Sequence, residues 1–253
     1  MKEFIEPYQY NFIKNQLANV SRAYRSANDT STLKALKSLT EEKINELFPD
    51  SVLEEHKELF SKLHVITSTK EAEPFLEGLK AYVIPFAPPS DVKLKKLFAK
   101  TKKLKIPAWS KLDLRDYTFY GWNDIAQQRK YIVTYEDGNL VGVQGTISTE
   151  IQKGVCSICH SHSKVSLFMA KTKSSSDGVY TTNGNYICYD SDVCNEQIKG
   201  HETLDEFIEV VKKRKIKKQK VSHFFERLSC FLFNRISQFL TLFIHPCFFR
   251  KFT

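Results

Sequence analysis

The segment CSIC at residues 156–159 and the segment CYDSDVC at residues 188–194 place four thiols in two close pairs, with 28 residues between the pairs. Two thiols separated by two residues can face one ion from a single turn, and zinc takes four such ligands in a tetrahedron. The second pair lies where a strand-like run ends and a helix is predicted to begin. The sequence therefore predicts one structural zinc site with the ligands Cys156, Cys159, Cys188 and Cys194.

Two alternatives for this cysteine pattern stay open at the level of sequence. A Cys-x-x-Cys pair is also a redox motif, although the βαβ context expected of that motif is missing upstream. The five-residue gap in the second pair is less usual than a gap of two, so His160 or His162 is an alternative ligand. Four thiolates around a dication leave a net negative charge and no open coordination position, which predicts a structural rather than a catalytic ion. Lysines close to the cysteines are the expected compensating cations, namely Lys153, Lys164 and Lys171.

Strand-like runs rich in β-branched and aromatic residues surround the cysteines. Residues 130–135 and 140–147 flank Asp137-Gly138, which is a strong hairpin-turn signal. A second hairpin is predicted from residues 165–169 to residues 185–188, and a short helix from about Thr203. Three elements supply the four ligands: a knuckle, which is the turn at residues 156–159, a hairpin and the start of a helix. Together they describe a treble-clef arrangement.

The N-terminal part of the chain is predicted to be helical instead. Four apolar patterns at helical spacing follow Pro7, Thr30 or Ser31, Asp50 or Ser51, and Ser68 or Thr69, all suitable first-turn or capping residues. Short links between helices of this length favour antiparallel neighbours, which predicts a four-helix bundle. The fold class is therefore α+β, with a helical bundle followed by a mixed α/β domain that contains the zinc finger.

The proline-rich run at residues 85–90 is the predicted domain boundary. It separates a helical domain at residues 1–85 from an α+β domain at residues 86–213, in which the zinc finger covers about residues 153–200. A lysine-dense helix is predicted after Ser90 and is expected to continue to Leu104. Its lysines are candidates for electrostatic contact with an acidic partner or RNA, in particular Lys93, Lys96, Lys100 and Lys103.

The net charge of +9 lies almost entirely in a tail extension at residues 214–253 and the two lysines before it. Residues 212–253 carry eleven Lys or Arg and one acid, so they contribute +10 and the preceding 211 residues contribute −1. The tail also has apolar residues at helical spacing, which fits a surface-bound amphipathic helix, an added segment without function, or a helix that packs on the body. Any membrane contact is expected through the tail alone. The folded body is nearly neutral, so the overall basicity is a property of the tail and says nothing about the folded domains.

Several classes of protein are disfavoured by the sequence. The N-terminus has no apolar run of signal-peptide length, which predicts a cytoplasmic protein in which clustered thiols bind metal. Phosphate-binding loops, the dinucleotide fingerprint and the nucleophile elbow are missing, and the pattern after His201-Glu202 departs from that of metalloproteases. The chain is therefore predicted to be a binding protein rather than an enzyme. It is also expected to be a monomer.

The motifs taken together resemble the fusidic acid resistance proteins of the FusB and FusC type, also called elongation factor G-binding proteins. The resemblance runs from the start of the chain to about residue 213. The matching stretches are PYQYNFI (7–13), YVIPF (82–86) with PPS (88–90), KKLKIP (102–107), GWN (121–123), RKYI (129–132), VSLFM (165–169), SDGVY (176–180), YIC (186–188) and CNEQ (194–197).

This resemblance implies an N-terminal helical bundle, a four-cysteine treble clef, and binding to the C-terminal domains of elongation factor G. It also implies that the protein frees the factor from drug-stalled ribosomes, which it meets transiently, without modifying the drug. The expected partner-binding residues, from the resemblance and from surface reasoning, are Tyr186, Phe207, Phe168 and Asn183. Relatives often carry an aromatic residue and a lysine where this chain has Val155 and Asn183. Direct RNA or ribosome binding through the lysine helix and the tail is the alternative function.

Overall fold

A computed structural model describes residues 2–101, 103–173 and 180–212, with the side chains of 171–173 and 180–182 left undescribed. Three helices of its N-terminal part, the first, second and fifth, begin at residues whose side chains satisfy free backbone N–H groups. Asp29 accepts from the N–H groups of Ser31 and Thr32, and Ser68 forms a capping box with Glu71. The helices of this part are α1 (Pro7–Ser26), α2 (Thr30–Asn45), α3 (Asp50–Glu55), α4 (Lys57–Ser61) and α5 (Thr69–Lys80).

The third predicted helix is broken into two, which corrects the simple four-helix pattern. His56 leaves the helical region with φ of −113° and ψ of 26°, and a 3-10 turn at Lys62–Val65 follows α4. The His56 ring stacks on Phe4, with ring centroids 3.9 Å apart. A tertiary contact thus accompanies the break, while the apolar stripes still meet in one core that includes Ile13, Ile44, Phe60, Phe75 and Leu79.

The segment after residue 85 is tied to the rest of the protein by polar and aromatic contacts. Phe86 is buried and its N–H donates to the carbonyl of Leu114, while the Tyr135 hydroxyl donates to the carbonyl of Ala87. The Lys80 ammonium lies 2.9 Å from Asp113 and 2.8 Å from Asp116. The division of the chain into domains at residue 85 stays a prediction.

Within the described residues, six strands form one antiparallel sheet in the order β1-β2-β3-β5-β4, with β6 paired to β5. The first predicted hairpin is present, because Asp137 and Gly138 both have positive φ (49° and 76°), as a type I′ turn requires. The second predicted hairpin is β5–β6. The strands are β1 (Tyr120–Asp124), β2 (Arg129–Glu136), β3 (Asn139–Ile147), β4 (Gln152–Val155), β5 (His162–Lys173) and β6 (Tyr180–Cys188).

The lysine-dense helix is shorter than the apolar stripe predicts. Helix α6 covers only Asp91–Leu97, and Phe98 ends it because its ring turns into a cluster with Trp122 and Tyr131. Lys93 and Lys96 are exposed on α6. Lys100 and Lys103 are also exposed but follow the end of the helix, so the four lysines do not form a single helical stripe.

Two helices complete the described fold, α7 (Ser191–Gln197) and α8 (Glu202–Lys212). Helix α8 confirms the helix predicted from about Thr203, and its apolar face packs against the sheet. In the described part of the chain no helix has both the length and the apolar character needed to cross a membrane. The predicted tail at residues 214–253 lies outside the described residues.

Candidate metal centre

The four cysteines come from three different elements that meet at one buried point. Cys156 and Cys159 belong to the turn between β4 and β5, Cys188 is the last residue of β6, and Cys194 lies in the first turn of α7. Their four Sγ atoms all lie within 4.8 Å of one another, and all four residues are buried. Asp190 starts α7 by accepting the N–H of Asp192 at 2.9 Å, which fixes the direction in which Cys194 enters the cluster.

The turn that carries the first pair is closed by backbone hydrogen bonds. The N–H of His160 donates to the carbonyl of Cys156 at 2.9 Å, and the N–H of Cys156 donates to the carbonyl of Ser161 at 3.1 Å. His160 takes the left-handed conformation (φ 53°), and both His160 and His162 are exposed. Among the described residues, the four cysteines form the group of potential metal ligands, and neither histidine is part of it. The geometry thus favours the four cysteines over either histidine as the ligand set.

The chemistry of this donor set fits a divalent ion. Sγ of Cys156 lies 3.8 Å from Sγ of Cys194, and Sγ of Cys159 lies 3.8 Å from Sγ of Cys188. Hydrogen bonding within the cluster lowers the pKa of Cys156 and raises the pKa of Cys194. Thiols this close therefore cannot all ionise on their own, whereas zinc stabilises four thiolates together. The N–H groups of Ile158 and Cys188 both donate to Sγ of Cys156 at 3.3 Å and support its thiolate.

A buried lysine faces this centre, and the sequence analysis missed it. Lys130 of β2 is 2% exposed, and burial lowers its pKa to about 8 against the opposing influence of Cys194, Asp190 and two further thiols. The cations expected from sequence are placed differently. Lys153 and Lys164 are exposed on β4 and β5, and the side chain of Lys171 lies outside the described residues.

A buried asparagine, Asn195, joins the metal-bearing helix α7 to the rest of the protein. Its side-chain amide donates to the carbonyls of Phe119 (3.0 Å) and Ser191 (2.9 Å). Its Oδ1 accepts the N–H groups of Thr118 (2.8 Å) and Phe119 (3.2 Å). The Asn11 amide of α1 donates to the Asn195 carbonyl at 3.1 Å. Asn195, which directly follows Cys194, therefore connects the metal centre with the segment before β1 and with α1.

The four residues predicted to bind a partner have different surroundings. Tyr186 is 41% exposed on β6, and Asn183 is half-buried, with its amide donating to the carbonyl of Val210 at 3.2 Å. Phe168 and Phe207 are 0% and 4% exposed, and their rings pack together with centroids 5.9 Å apart. Their predicted place at the surface is wrong, because α8 turns its apolar face onto the sheet and covers both rings.

A knuckle, a hairpin and a helix start that together hold four buried cysteine thiols define a treble-clef zinc-finger protein with one structural zinc ion. Two family models match this chain. The model described as "Elongation factor G-binding protein, N-terminal" matches residues 4–87, and that described as "FBP C-terminal treble-clef zinc-finger" matches residues 95–235. The chain belongs to the elongation factor G-binding protein family.

A solved structure supports the same conclusion. The chain is similar to the fusidic acid resistance protein FusC, with 36% sequence identity and a TM-score of 0.70. The match covers 82% of this chain and 97% of the other. The comparison with curated proteins gives no match. The family and the α+β fold predicted from the sequence are thus confirmed.

Proposed function

We propose that this protein binds elongation factor G, through its C-terminal domains, and promotes release of the factor from ribosomes stalled by fusidic acid. Membership of the family and the likeness to FusC support this proposal. The observation that carries it for this chain is an exposed tyrosine, Tyr186, which the zinc centre holds in place two residues before Cys188. The proposed activity is non-enzymatic, because four thiolate ligands leave zinc no position for a substrate.

The proposed binding surface is the exposed side of the β5–β6 hairpin, which we call the hairpin face. Tyr186 lies opposite Leu167, and Met169 lies opposite Gly184, so these side chains point to the same side of the sheet. Tyr186 and Met169 are both exposed on this side. Aromatic residues on rigid elements are favourable anchors because they bury a large area with little loss of side-chain freedom.

The backbone couples this face to the metal. The carbonyl of Tyr186 accepts the N–H of Ser157, which lies between the first two cysteines, at 2.9 Å. Phe168 and Phe207 pack on the other side of the hairpin and keep it in position. Binding releases the factor from the ribosome only if the protein prefers the departing conformation over the stalled one, because a ligand shifts an equilibrium through differential affinity alone.

Tyr186→Ala is expected to weaken binding to elongation factor G by about 30-fold, which corresponds to about 2 kcal/mol for a central anchor residue. Titration calorimetry with the purified factor measures this change. The control is Ile125→Ala, which removes an exposed apolar side chain from the turn between β1 and β2. It is expected to change the affinity less than twofold. Equal effects of the two variants, or no complex of the native protein at micromolar concentration, would contradict the proposal.

RNA or ribosome binding is the second candidate, and the exposed lysines around α6 favour it. Lys93, Lys96, Lys100 and Lys103 are all exposed. Phosphate contacts predict an affinity that falls steeply with salt and that does not depend on the factor. Joint replacement of these lysines by glutamine should then reduce ribosome binding and leave the affinity for the isolated factor unchanged. Tyr186→Ala should instead weaken binding to the isolated factor and leave ribosome binding unchanged. The two sets of variants therefore separate the two functions.

A further inference from the structure

Lys130 has an unusual position for a lysine, in the middle of the sheet and next to the metal centre. Its ammonium donates to the carbonyl of Tyr189 at 2.8 Å and to Oδ1 of Asn123 at 3.1 Å. Asn123 is the cross-strand neighbour of Lys130 on β1, and its amide donates to the same carbonyl at 3.0 Å. Tyr189 immediately follows Cys188, so two donors from the sheet fix the chain between the third and fourth cysteines.

These hydrogen bonds alone do not explain a buried charge. In the part of the chain that the structure describes, Lys130 forms no ion pair with a carboxylate. A buried ammonium without an anionic partner is strongly disfavoured, because the loss of hydration is not offset. The acidic groups that act on it outside the cysteines, Asp190 and Asp192, are both exposed, so water screens their attraction.

The cysteine cluster supplies the missing negative charge. The Lys130 ammonium holds the carbonyl of Tyr189, the residue after Cys188, at 2.8 Å. Cys194, Cys188 and Cys156 are buried with it and oppose the lowering of the Lys130 pKa. Four thiolates around one zinc ion carry a net negative charge in the same low-dielectric region. The positive charge of Lys130 and the net negative charge of the zinc–thiolate centre attract each other strongly in this region. Exposed groups such as Lys153 are screened by water and stabilise the centre less.

We propose that Lys130 is the counter-cation of the zinc–thiolate centre, a positioning residue that retains the ion through its charge as well as by holding the Tyr189 carbonyl. This role concerns the metal centre itself and does not depend on the identity of the partner. A lysine with a purely structural role would act through its hydrogen bonds only. An uncharged hydrogen-bond donor could then replace it, whereas such a donor cannot replace a counter-cation.

The test compares three variants for zinc affinity by competition with a chromogenic chelator, with circular dichroism as the check of folding. Lys130→Gln keeps a hydrogen-bond donor and removes the charge, Lys130→Met removes both, and Lys153→Met removes an exposed lysine three residues before Cys156. We expect both Lys130 variants to bind zinc about 10–100-fold more weakly, the range for outer-shell partners of metal ligands. Lys153→Met should change the affinity less than twofold.

Two results would overturn the proposal. If Lys130→Gln holds zinc as tightly as the native protein while Lys130→Met does not, the hydrogen bond and not the charge retains the ion. If both Lys130 variants match Lys153→Met, the lysine has no role at the metal. Cobalt-loaded protein gives a second readout, because a change in the charge next to the thiolates shifts the thiolate-to-cobalt charge-transfer band and a change in packing elsewhere does not.

Discussion

Cys188→Ser is expected to abolish stoichiometric zinc binding and to unfold the unit formed by the knuckle, the β5–β6 hairpin and α7. Structural zinc contributes about 10–16 kcal/mol to apparent folding free energy in small zinc-finger units. A whole domain is stable by only about 5–15 kcal/mol. Serine offers a poor, protonated oxygen ligand where zinc requires a thiolate, so the loss is of the order of the entire stability of this unit.

The position of Cys188 explains why the effect extends beyond one ligand. Cys188 ends β6, and its N–H donates to Sγ of Cys156, so it links the hairpin to the knuckle. The apolar groups around it include the buried Ile187 and Ile158. Loss of the ion leaves three thiols to re-protonate in this core and releases the hairpin face together with Tyr186.

The measurement is elemental analysis of zinc per chain, combined with near-ultraviolet circular dichroism and binding to elongation factor G. The matched control is Cys230→Ser, the same substitution at a cysteine outside the described residues and outside the four-ligand set. It should retain one zinc ion per chain and native binding. A Cys188→Ser protein that keeps one zinc ion and its native spectrum would contradict the assignment of this residue as a ligand.

The parts of the fold that depend on local chain chemistry were predictable from the sequence. The spacing of the four cysteines lets four thiols reach one tetrahedral ion. Asp137 and Gly138 are residue types that readily take the positive φ angles of a tight hairpin turn. Helix α8 was predictable from its apolar periodicity. In each of these cases a few neighbouring residues determine the structure, so distant parts of the chain do not enter the prediction.

The missed features all depend on residues that are distant in sequence. Phe98 ends α6 early because Trp122 and Tyr131 accept its ring, and His56 breaks a helix beside Phe4. Lys130 looks like an ordinary strand lysine, since its burial follows only from the placement of β1 and of the chain after Cys188. Phe168 and Phe207 were expected at a binding surface, and their burial follows only from the packing of α8 on the sheet.

Asn195 is a further residue whose importance the sequence did not reveal, although it directly follows Cys194, the fourth predicted ligand. Asn195→Ala is expected to lower the free energy of unfolding by about 3–5 kcal/mol. Asn195 is 1% exposed, and its side chain forms four hydrogen bonds with backbone groups. Alanine leaves buried N–H and carbonyl groups unpaired, and each such group costs about 1–3 kcal/mol, although the costs are not additive.

The matched control lies one residue further along α7. The Asn15 amide of α1 donates to the carbonyl of Glu196 at 2.6 Å, but this contact is exposed. Asn15→Ala removes the same functional group from the same helix interface and is expected to cost less than about 1 kcal/mol, because water replaces the lost bond. Urea unfolding of zinc-loaded protein measures both values, and an equal, small loss in the two variants would contradict the central role of Asn195.

Hydrogen exchange shows where the destabilisation acts. In Asn195→Ala the amides of Thr118 and Phe119 lose their acceptor and should exchange faster, while the amides of the hairpin turn at Asp137 should keep their native rates relative to global unfolding. Because Asn11 donates to the Asn195 carbonyl, a displaced α7 should also loosen the middle of α1. Faster exchange at both places with zinc still bound would show that α7 transmits the order of the metal centre to the N-terminal helices.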